Sequence, residues 1–315
     1  MASLILFRMI AVFPDFTKLT LAHRDEYNEL MRKYPPFSDI TFPTLHIWWN
    51  QQEQLSVSAL NDNLVIDYRL HFDEKNSGYS LVGKHLIDSS IRTIFDYLKL
   101  KGEPVRLVHV PEFVVGEIGD RTGLKIEEEH DYHEYVMDAK ALASLESSDL
   151  GRIRRKVRRF LREVENEKVE VKPLNMAPSE TKALVFNAVQ SWQKVHPKRN
   201  DPDDTEAKAI AKAIHHQSDL GIENLCLFIN DKLQAIVLYH LSLDKQYYII
   251  HHFQVDYSTP FIFDYMTSQI AKKAVEESVP YLNMEMDLGI EGLRAHKMGL
   301  RPVTFLKKFT LKLAK

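Results

Sequence analysis

Two stretches of this 315-residue sequence run in step, 176 positions apart. Pro104 matches Pro280, the apolar run 105–110 matches 281–286, and Gly123-Leu124 matches Gly299-Leu300. Strand, helix, glycine and last strand therefore recur in the same order and at the same spacing. A supersecondary pattern repeated at one interval implies two similar units, each burying its own sheet.

Composition allows this. Hydrophobic residues make up 44% of the chain, enough for two cores, and 27% charge is ordinary for a soluble protein. A net charge of −3 gives no overall attraction to nucleic acid or an anionic membrane, so any basic surface has to be local. The single cysteine, Cys226, lies in the apolar run Leu225-Cys-Leu-Phe228, which suits an inert buried thiol in a reducing compartment. Residues 1–13 are apolar but interrupted by Arg8. They lack a basic leader and a small-residue cleavage site, and fall short of the ~20 residues of a membrane span. A cytoplasmic protein is expected.

In the first half, taken as domain 1–135, periodicity predicts a short strand at 16–21 and a helix at 22–33 stopped by Pro35-Pro36. A hairpin of 55–60 and 64–72 about Asn61-Asp-Asn63, a strand at 79–82 and a helix at 87–100 follow, then strands at 105–110 and 124–129. In the second half, 136–315, a basic helix at 149–165 precedes a strand at 169–173 and helices at 179–195 and 205–216. Strands at 225–230, 233–241 and 246–254, a helix at 261–277, a strand at 281–287, a short helix at 290–297 and a last strand at 303–313 complete it. The expected class is α/β with mixed sheets, one per half.

Polar chemistry collects in the second copy. Alternate side chains of a strand share a face, so Asn283, Glu285 and Asp287 point one way and Leu282, Met284 and Met286 the other. Leu288-Gly289 ends this strand, and the next helix carries Glu291, Arg294 and Lys297. Acidic groups at the carboxyl end of a strand, beside a helix amino terminus, stand where open α/β sheets bind ligands. Glu285, Asp287 and Glu291 are the candidate catalytic carboxylates. An ammonium has no lone pair to attack with, and a carboxylate here can take its proton. The competing structural reading makes Asp287 a helix cap and pairs Glu285 with Arg294 or Lys297, leaving Lys297 a salt-bridged surface residue. Asn283 and Arg294, with His252 and Gln254 from the strand 246–254, are candidate substrate-binding residues; His251 faces the other way. In the first copy Leu107, His109 and Pro111 fall under Asn283, Glu285 and Asp287, and Ile118 under Arg294. That copy is expected to have lost the polar constellation and to be structural or substrate-shaping.

The helix 149–165 carries Arg152, Arg154, Arg155, Lys156, Arg158, Arg159 and Arg162 beside an apolar face of Ile153, Val157, Phe160, Leu161 and Val164. Docked by that face, it exposes cations. Arg152, Arg155, Lys156 and Arg159 are candidate ligands for phosphates of a nucleotide or a tRNA acceptor arm, and Lys194, His196, Lys198 and Arg199 extend the surface. The plainer reading is a solvated charge run, balanced by Glu163, Glu165 and Glu167. No cysteine or histidine spacing marks a zinc site, and no P-loop, dinucleotide fingerprint or serine-nucleophile motif is present. The pair Trp48-Trp49 reads as core.

Tyr34-Pro-Pro36, Thr41-Phe42 and Leu45-His-Ile-Trp48, the basic helix 152–162 and the string Met286-Asp-Leu-Gly-Ile-Glu-Gly-Leu-Arg294 together resemble a bacterial family of the phosphatidylglycerol lysyltransferase carboxy-terminal type. The resemblance spans about Val12 to Leu313. It implies two tandem GNAT (N-acetyltransferase-like) domains. Proteins related in this way transfer aminoacyl groups from aminoacyl-tRNA to a lipid headgroup or to peptidoglycan precursors; the multipass membrane portion of the lysyltransferases is not part of this sequence. Acyl-CoA-using GNAT enzymes cradle a pyrophosphate in a glycine-rich loop after the fourth strand. Here that stretch, Val255-Asp-Tyr-Ser-Thr-Pro260, has no glycine and carries a carboxylate, so coenzyme A in the usual loop is not expected. The resemblance implies an acyl- or aminoacyltransferase acting on an amine or hydroxyl acceptor, with backbone N–H groups near 253–256 holding the oxyanion. The alternative is a non-catalytic tandem module that binds a nucleotide, peptide or protein partner.

Overall fold

The computed structural model describes residues 9–48, 55–68, 77–195 and 205–314. Trp49, His196, Lys198 and Arg199 lie outside the described residues. The strands are β1 (Thr17–Lys18), β2 (Ser56–Leu60), β3 (Asn63–Asp67), β4 (Tyr79–Val82), β5 (Arg106–Pro111), β6 (Leu124–Glu128), β7 (Glu134–Asp138), β8 (Val169–Lys172), β9 (Ile222–Ile229), β10 (Lys232–Leu241), β11 (Tyr247–Val255), β12 (Tyr281–Asn283), β13 (Thr304–Leu306) and β14 (Lys308–Leu313).

They form two seven-stranded sheets, β1-β2-β3-β4-β5-β14-β6 and β8-β9-β10-β11-β12-β7-β13. Place for place the two orders agree. The second and third strands make a hairpin in each. Its turn has two left-handed residues, Asn61 and Asp62 in one and Asn230 and Asp231 in the other, as a two-residue turn matching the strand twist requires. The fourth and fifth strands are parallel in each (β4–β5 and β11–β12). Parallel neighbours need a crossover, here the helices Ile87–Lys101 and Ile262–Glu276.

The sixth place breaks the simple tandem. In the first sheet it is filled by β14, which pairs with β5 and β6; in the second it is filled by β7, which pairs with β12. The chain accordingly divides into Met1–Glu134 with Leu306–Lys315, and Tyr135–Phe305. The single last strand expected at 303–313 is split at Lys307, and only its first part belongs to the second sheet. Strand β7, not predicted, is a short apolar run between Glu134 and Asp138 that reads locally as a linker. Each exchanged strand is committed by burial. Leu311 of β14 is sealed in the first core with Leu107, Val110 and Ile94, and Met137 of β7 in the second with Val237, Tyr248 and Leu282. A fully buried side chain of this size contributes ~1.5–3 kcal/mol.

The basic helix Gly151–Glu163 docks by Ile153, Val157 and Phe160, the last stacked on Tyr265 with centroids 4.3 Å apart. Leu161, expected on this face, is exposed because the turn of the helix carries it to the rim. Cys226 is buried, and burial pushes its thiol well above the usual range. Trp48 is half-buried. Among the described residues, no helix is long and apolar enough to cross a membrane.

Candidate active site

β11 and β12 run side by side from Tyr247 and Tyr281 to Ile249 and Asn283, then part. On β11, a register shift against β10 between Leu238 and Tyr239 leaves His251 as an extra, bulged residue. The distortion expected around 253–256 therefore lies at His251, and the Asp256 N–H is already given to the Gln234 carbonyl at 2.7 Å. On the other side, the strand expected to reach residue 287 ends at Asn283. The buried Asn283 side chain accepts the Glu285 N–H at 2.9 Å, and Glu285 adopts a left-handed φ of 56°. A local side-chain bond of this kind competes with the ladder and turns the chain out of it.

Glu285 and His251 meet in the resulting gap. Glu285 Oε1 lies 3.4 Å from His251 Nδ1, and His251 Nε2 lies 2.7 Å from His240 Nδ1. The two imidazoles stack with planes 9° apart. The Glu285 side chain is 16% exposed, whereas that of His251 is sealed. Burial pushes His251 down to about 3 and His240 well below the usual histidine range, the latter helped by the neighbouring His251. Both rings are thus neutral, and their shared hydrogen bond couples the tautomers, one ring donating and the other accepting. With His251 Nδ1–H facing the carboxylate, its Nε2 accepts from His240 Nδ1–H. The outcome is a carboxylate reachable from solvent, backed by an oriented and uncharged relay.

Asp287, two residues on, is in a different state. Its side chain is fully buried and accepts from Tyr135 Oη at 2.5 Å, Arg294 Nε at 2.9 Å, Arg294 Nη2 at 2.8 Å and the Gly289 N–H at 2.8 Å. Those four donors fill the lone-pair sites of a carboxylate. Burial alone raises its pKa, but the bonds from Arg294, Tyr135 and Gly289 outweigh that and hold it below the usual carboxylate range. Asp287 and Arg294 therefore form a clamp that shapes the turn into the helix Glu291–Gly299.

The remaining sequence candidates separate. Glu291 is exposed in the first turn of that helix. Gln254 is buried and donates to Glu206 Oε1 at 2.8 Å, which orients it toward a helix. His252 is buried on β11 opposite Leu238. Lys297, expected on a salt-bridged surface, is buried, donating to the Met286 carbonyl at 2.5 Å and lying 5.7 Å from the Tyr135 ring centroid. Sequence reasoning missed His240 and Tyr135. The histidine lies at the far end of a strand read only for its apolar content, and the tyrosine belongs to the strand that was not predicted.

Arg152, Arg155, Lys156, Arg158, Arg159 and Arg162 line an open concavity of about 840 Å³ together with Leu161 and Phe261. Phe261 precedes the helix Ile262–Glu276, so the concavity adjoins a helix amino terminus at the carboxyl end of β11, the end where β11 and β12 part. Lys156 is engaged, its ammonium 3.0 Å from the buried Asp264. Arg159 lies over the Phe261 ring at 5.7 Å. Arg152, Arg155, Arg158 and Arg162 are exposed on the helix surface. In the preceding loop, Asp256 Oδ1 accepts from the Ser258 N–H at 3.0 Å and from its hydroxyl at 2.7 Å, so the stretch expected to be a poor pyrophosphate cradle is tied up in a turn of its own.

Sheets with this strand order, a splayed parallel pair and a crossover helix after the fourth strand define two GNAT-like units. The chain belongs to the phosphatidylglycerol lysyltransferase, C-terminal, family, whose pattern it matches over residues 40–312. In structure it is similar to a conserved protein of unknown function from Bacteroides thetaiotaomicron, with a TM-score of 0.80, 21% identity, and 95% of this chain and 99% of that one covered. It is also similar to L-PGS from Bacillus licheniformis, with a TM-score of 0.61, 14% identity and coverages of 97% and 94%. A third likeness is to FemX, with a TM-score of 0.52, 11% identity and coverages of 95% and 97%. Among curated proteins nothing matches it by sequence.

Proposed function

We propose that the second unit transfers an acyl or aminoacyl group to an amine or hydroxyl acceptor, with Glu285 as the general base. The observation that carries this reading is the left-handed kink that sets a solvent-reachable carboxylate against a buried, neutral histidine pair, where two parallel strands part. The donor's ester carbonyl enters the gap. Acceptor nitrogen or oxygen attacks it, and Glu285 takes the proton. The new bond to the carbonyl carbon forms as the donor's C–O bond breaks, and the proton then passes to the leaving oxygen. β11 backbone N–H groups beyond Ile249, on the side that β12 has left, are the donors to the developing oxyanion. His251 and His240 are positioning residues that hold Glu285 in line. Asn283, Asp287 and Arg294 keep the kink in shape.

The basic concavity fits a phosphate-bearing donor such as an aminoacyl-tRNA, with Arg152, Arg155 and Arg159 as phosphate ligands and Lys156 as the pin that fixes their helix. The family's description as a lysyltransferase supports an aminoacyl group as cargo. The test is single-turnover transfer from radiolabelled lysyl-tRNA to amine and hydroxyl acceptors, including phosphatidylglycerol vesicles. Transfer by the native chain and its loss in Glu285→Gln is the expected result. A Glu285→Gln variant that transfers at the native rate overturns the assignment of the base.

A further inference from the structure

Away from the gap in the second unit, the described residues bring three metal-ligating side chains together at one place in the first. β6 ends at Glu128, a single turn of 3-10 helix occupies His130–Tyr132, and His133 leads into β7. Glu128 Oε1 lies 3.4 Å from His133 Nε2 and 3.7 Å from His130 Nδ1. One donor atom from each of the three residues lies within 4.8 Å of the other two. Ligands bound to a tetrahedral zinc at ~2.0–2.2 Å stand ~3.3–3.6 Å from one another. The two measured edges already have that length to within a few tenths of an ångström. The E-x-H-x-x-H spacing is brought together by the end of a strand and the turn that follows it.

The cluster also shows where a cation sits. Lys307 Nζ lies 3.0 Å from the same Glu128 Oε1 that faces both histidines. Its side chain is 44% exposed, so it can withdraw into water when a stronger cation arrives. His133 is 8% exposed and anchors the group, whereas Glu128 and His130 are 30% and 74% exposed and leave a path for an ion. Two imidazoles and one carboxylate suit zinc and its neighbours in the first transition row better than calcium or magnesium, which want all-oxygen shells.

We propose that Glu128, His130 and His133 form a divalent transition-metal site of the zinc class, with three protein ligands and one water. Bound metal closes the end of β6 onto the turn that leads to Glu134, and Lys307 is its built-in competitor.

The test titrates the untagged full chain with Co²⁺, then Zn²⁺. The expected result is a visible ligand-field absorption with Co²⁺ that Zn²⁺ abolishes, and a zinc-dependent rise in Tm. Both are lost in Glu128→Gln and in His130→Ala. The second variant removes an exposed side chain, so it reports on the site even if His133→Ala fails to fold. Lys307→Met is expected to tighten Co²⁺ binding roughly two- to fivefold, the worth of one surface ion pair. Absence of the absorption in the native chain overturns the proposal, as does a spectrum unchanged in His130→Ala or one lost equally in His85→Ala, a histidine outside the cluster.

Discussion

The two units share a strand order and a backbone kink, yet they surround the kink with different polar groups. His109 in the first and Glu285 in the second hold corresponding places in the repeat, and both are left-handed, with φ of 53° and 56°. In the first unit the region is closed by charge. Lys308 is fully buried with its ammonium 2.7 Å from Asp39 and 2.8 Å from Glu134, and Glu134 also accepts the Ser38 N–H at 2.8 Å. His109 pairs with Glu129 at 2.8 Å, and Thr310 donates to the same carboxylate. In the second unit Glu285, at the place of His109, faces the buried His251 instead. The first copy lacks the Asn-Glu-Asp-Arg set of the second and has a different one, in which Lys308 pairs with Asp39 and Glu134, and His109 with Glu129. What separates the two copies is the kind of group facing the carboxylate: a buried ammonium in the first, a buried histidine pair in the second. In both, the exchanged sixth strand supplies a closing residue, Lys308 on β14 and Tyr135 beside Asp287 on β7.

The largest effect should come from asking whether the kinks differ in chemistry. Glu285→Gln is expected to lower the transfer rate by about 10²–10⁴-fold, the usual worth of a general base, while His109→Asn leaves the rate unchanged. Equal losses in the two variants would erase the distinction between the units. Next comes the sealed cluster. Lys308→Met leaves the buried Glu134 and the half-buried Asp39 without their cation and should cost ~3–5 kcal/mol in urea unfolding, much of it recovered when Asp39→Asn and Glu134→Gln are added. A variant as stable as the native chain would show that the cluster does not hold the first unit together.

Acid should weaken the second unit. Asp287 has a depressed pKa, so its contribution is present above the unfolded value and is lost as pH falls through the folded one. Asp287→Asn, expected to cost ~1–3 kcal/mol at neutral pH, should therefore converge with the native chain in strong acid. His240 and His251 stay neutral in the folded state and are protonated on unfolding, so stability falls as pH drops below ~6.5, by up to ~1.4 kcal/mol per pH unit for each ring. Lys308, whose pKa is raised by Asp39 and Glu134 despite its burial, keeps its contribution until strongly alkaline pH. Hydrogen exchange across a pH series reads this loss, and protection of the second unit that stays unchanged into strong acid would contradict it. The smallest effect concerns the basic concavity of the second unit. Arg155→Glu with Arg159→Glu should raise KM for a tRNA donor about tenfold and flatten its salt dependence by about two phosphate contacts, measured as KM against ionic strength.

Much of the fold was legible because each unit is built of locally consistent segments. Helices at 179–195 and 87–101 and the strands 79–82 and 106–111 follow directly from apolar periodicity. Strand exchange was not legible, since which sheet receives β7 or β14 depends on partners far away in sequence. Lys308 illustrates this: in Leu306-Lys-Lys-Phe309 it looks like any surface lysine until Asp39 and Glu134 are brought to it. The candidate site was half legible. Glu285 and Asp287 were expected on one face of a regular strand, but the Asn283 side chain ends that strand and sends the two carboxylates into different surroundings. A bulge at His251 likewise defeats any alternation rule, because one extra residue changes which face follows.

The exchange of sixth strands also sets the order in which the protein can be finished as it is made. Domains usually fold as they emerge from the ribosome, earlier ones first. Here the second unit is complete in sequence once Phe305 has been added, whereas the first must wait for Leu306–Lys315. Until then its fifth strand and β6 lack the strand that belongs between them. The earlier-synthesised unit is therefore the later one to be complete, and until then the facing edges of β5 and β6 stand open to mispairing.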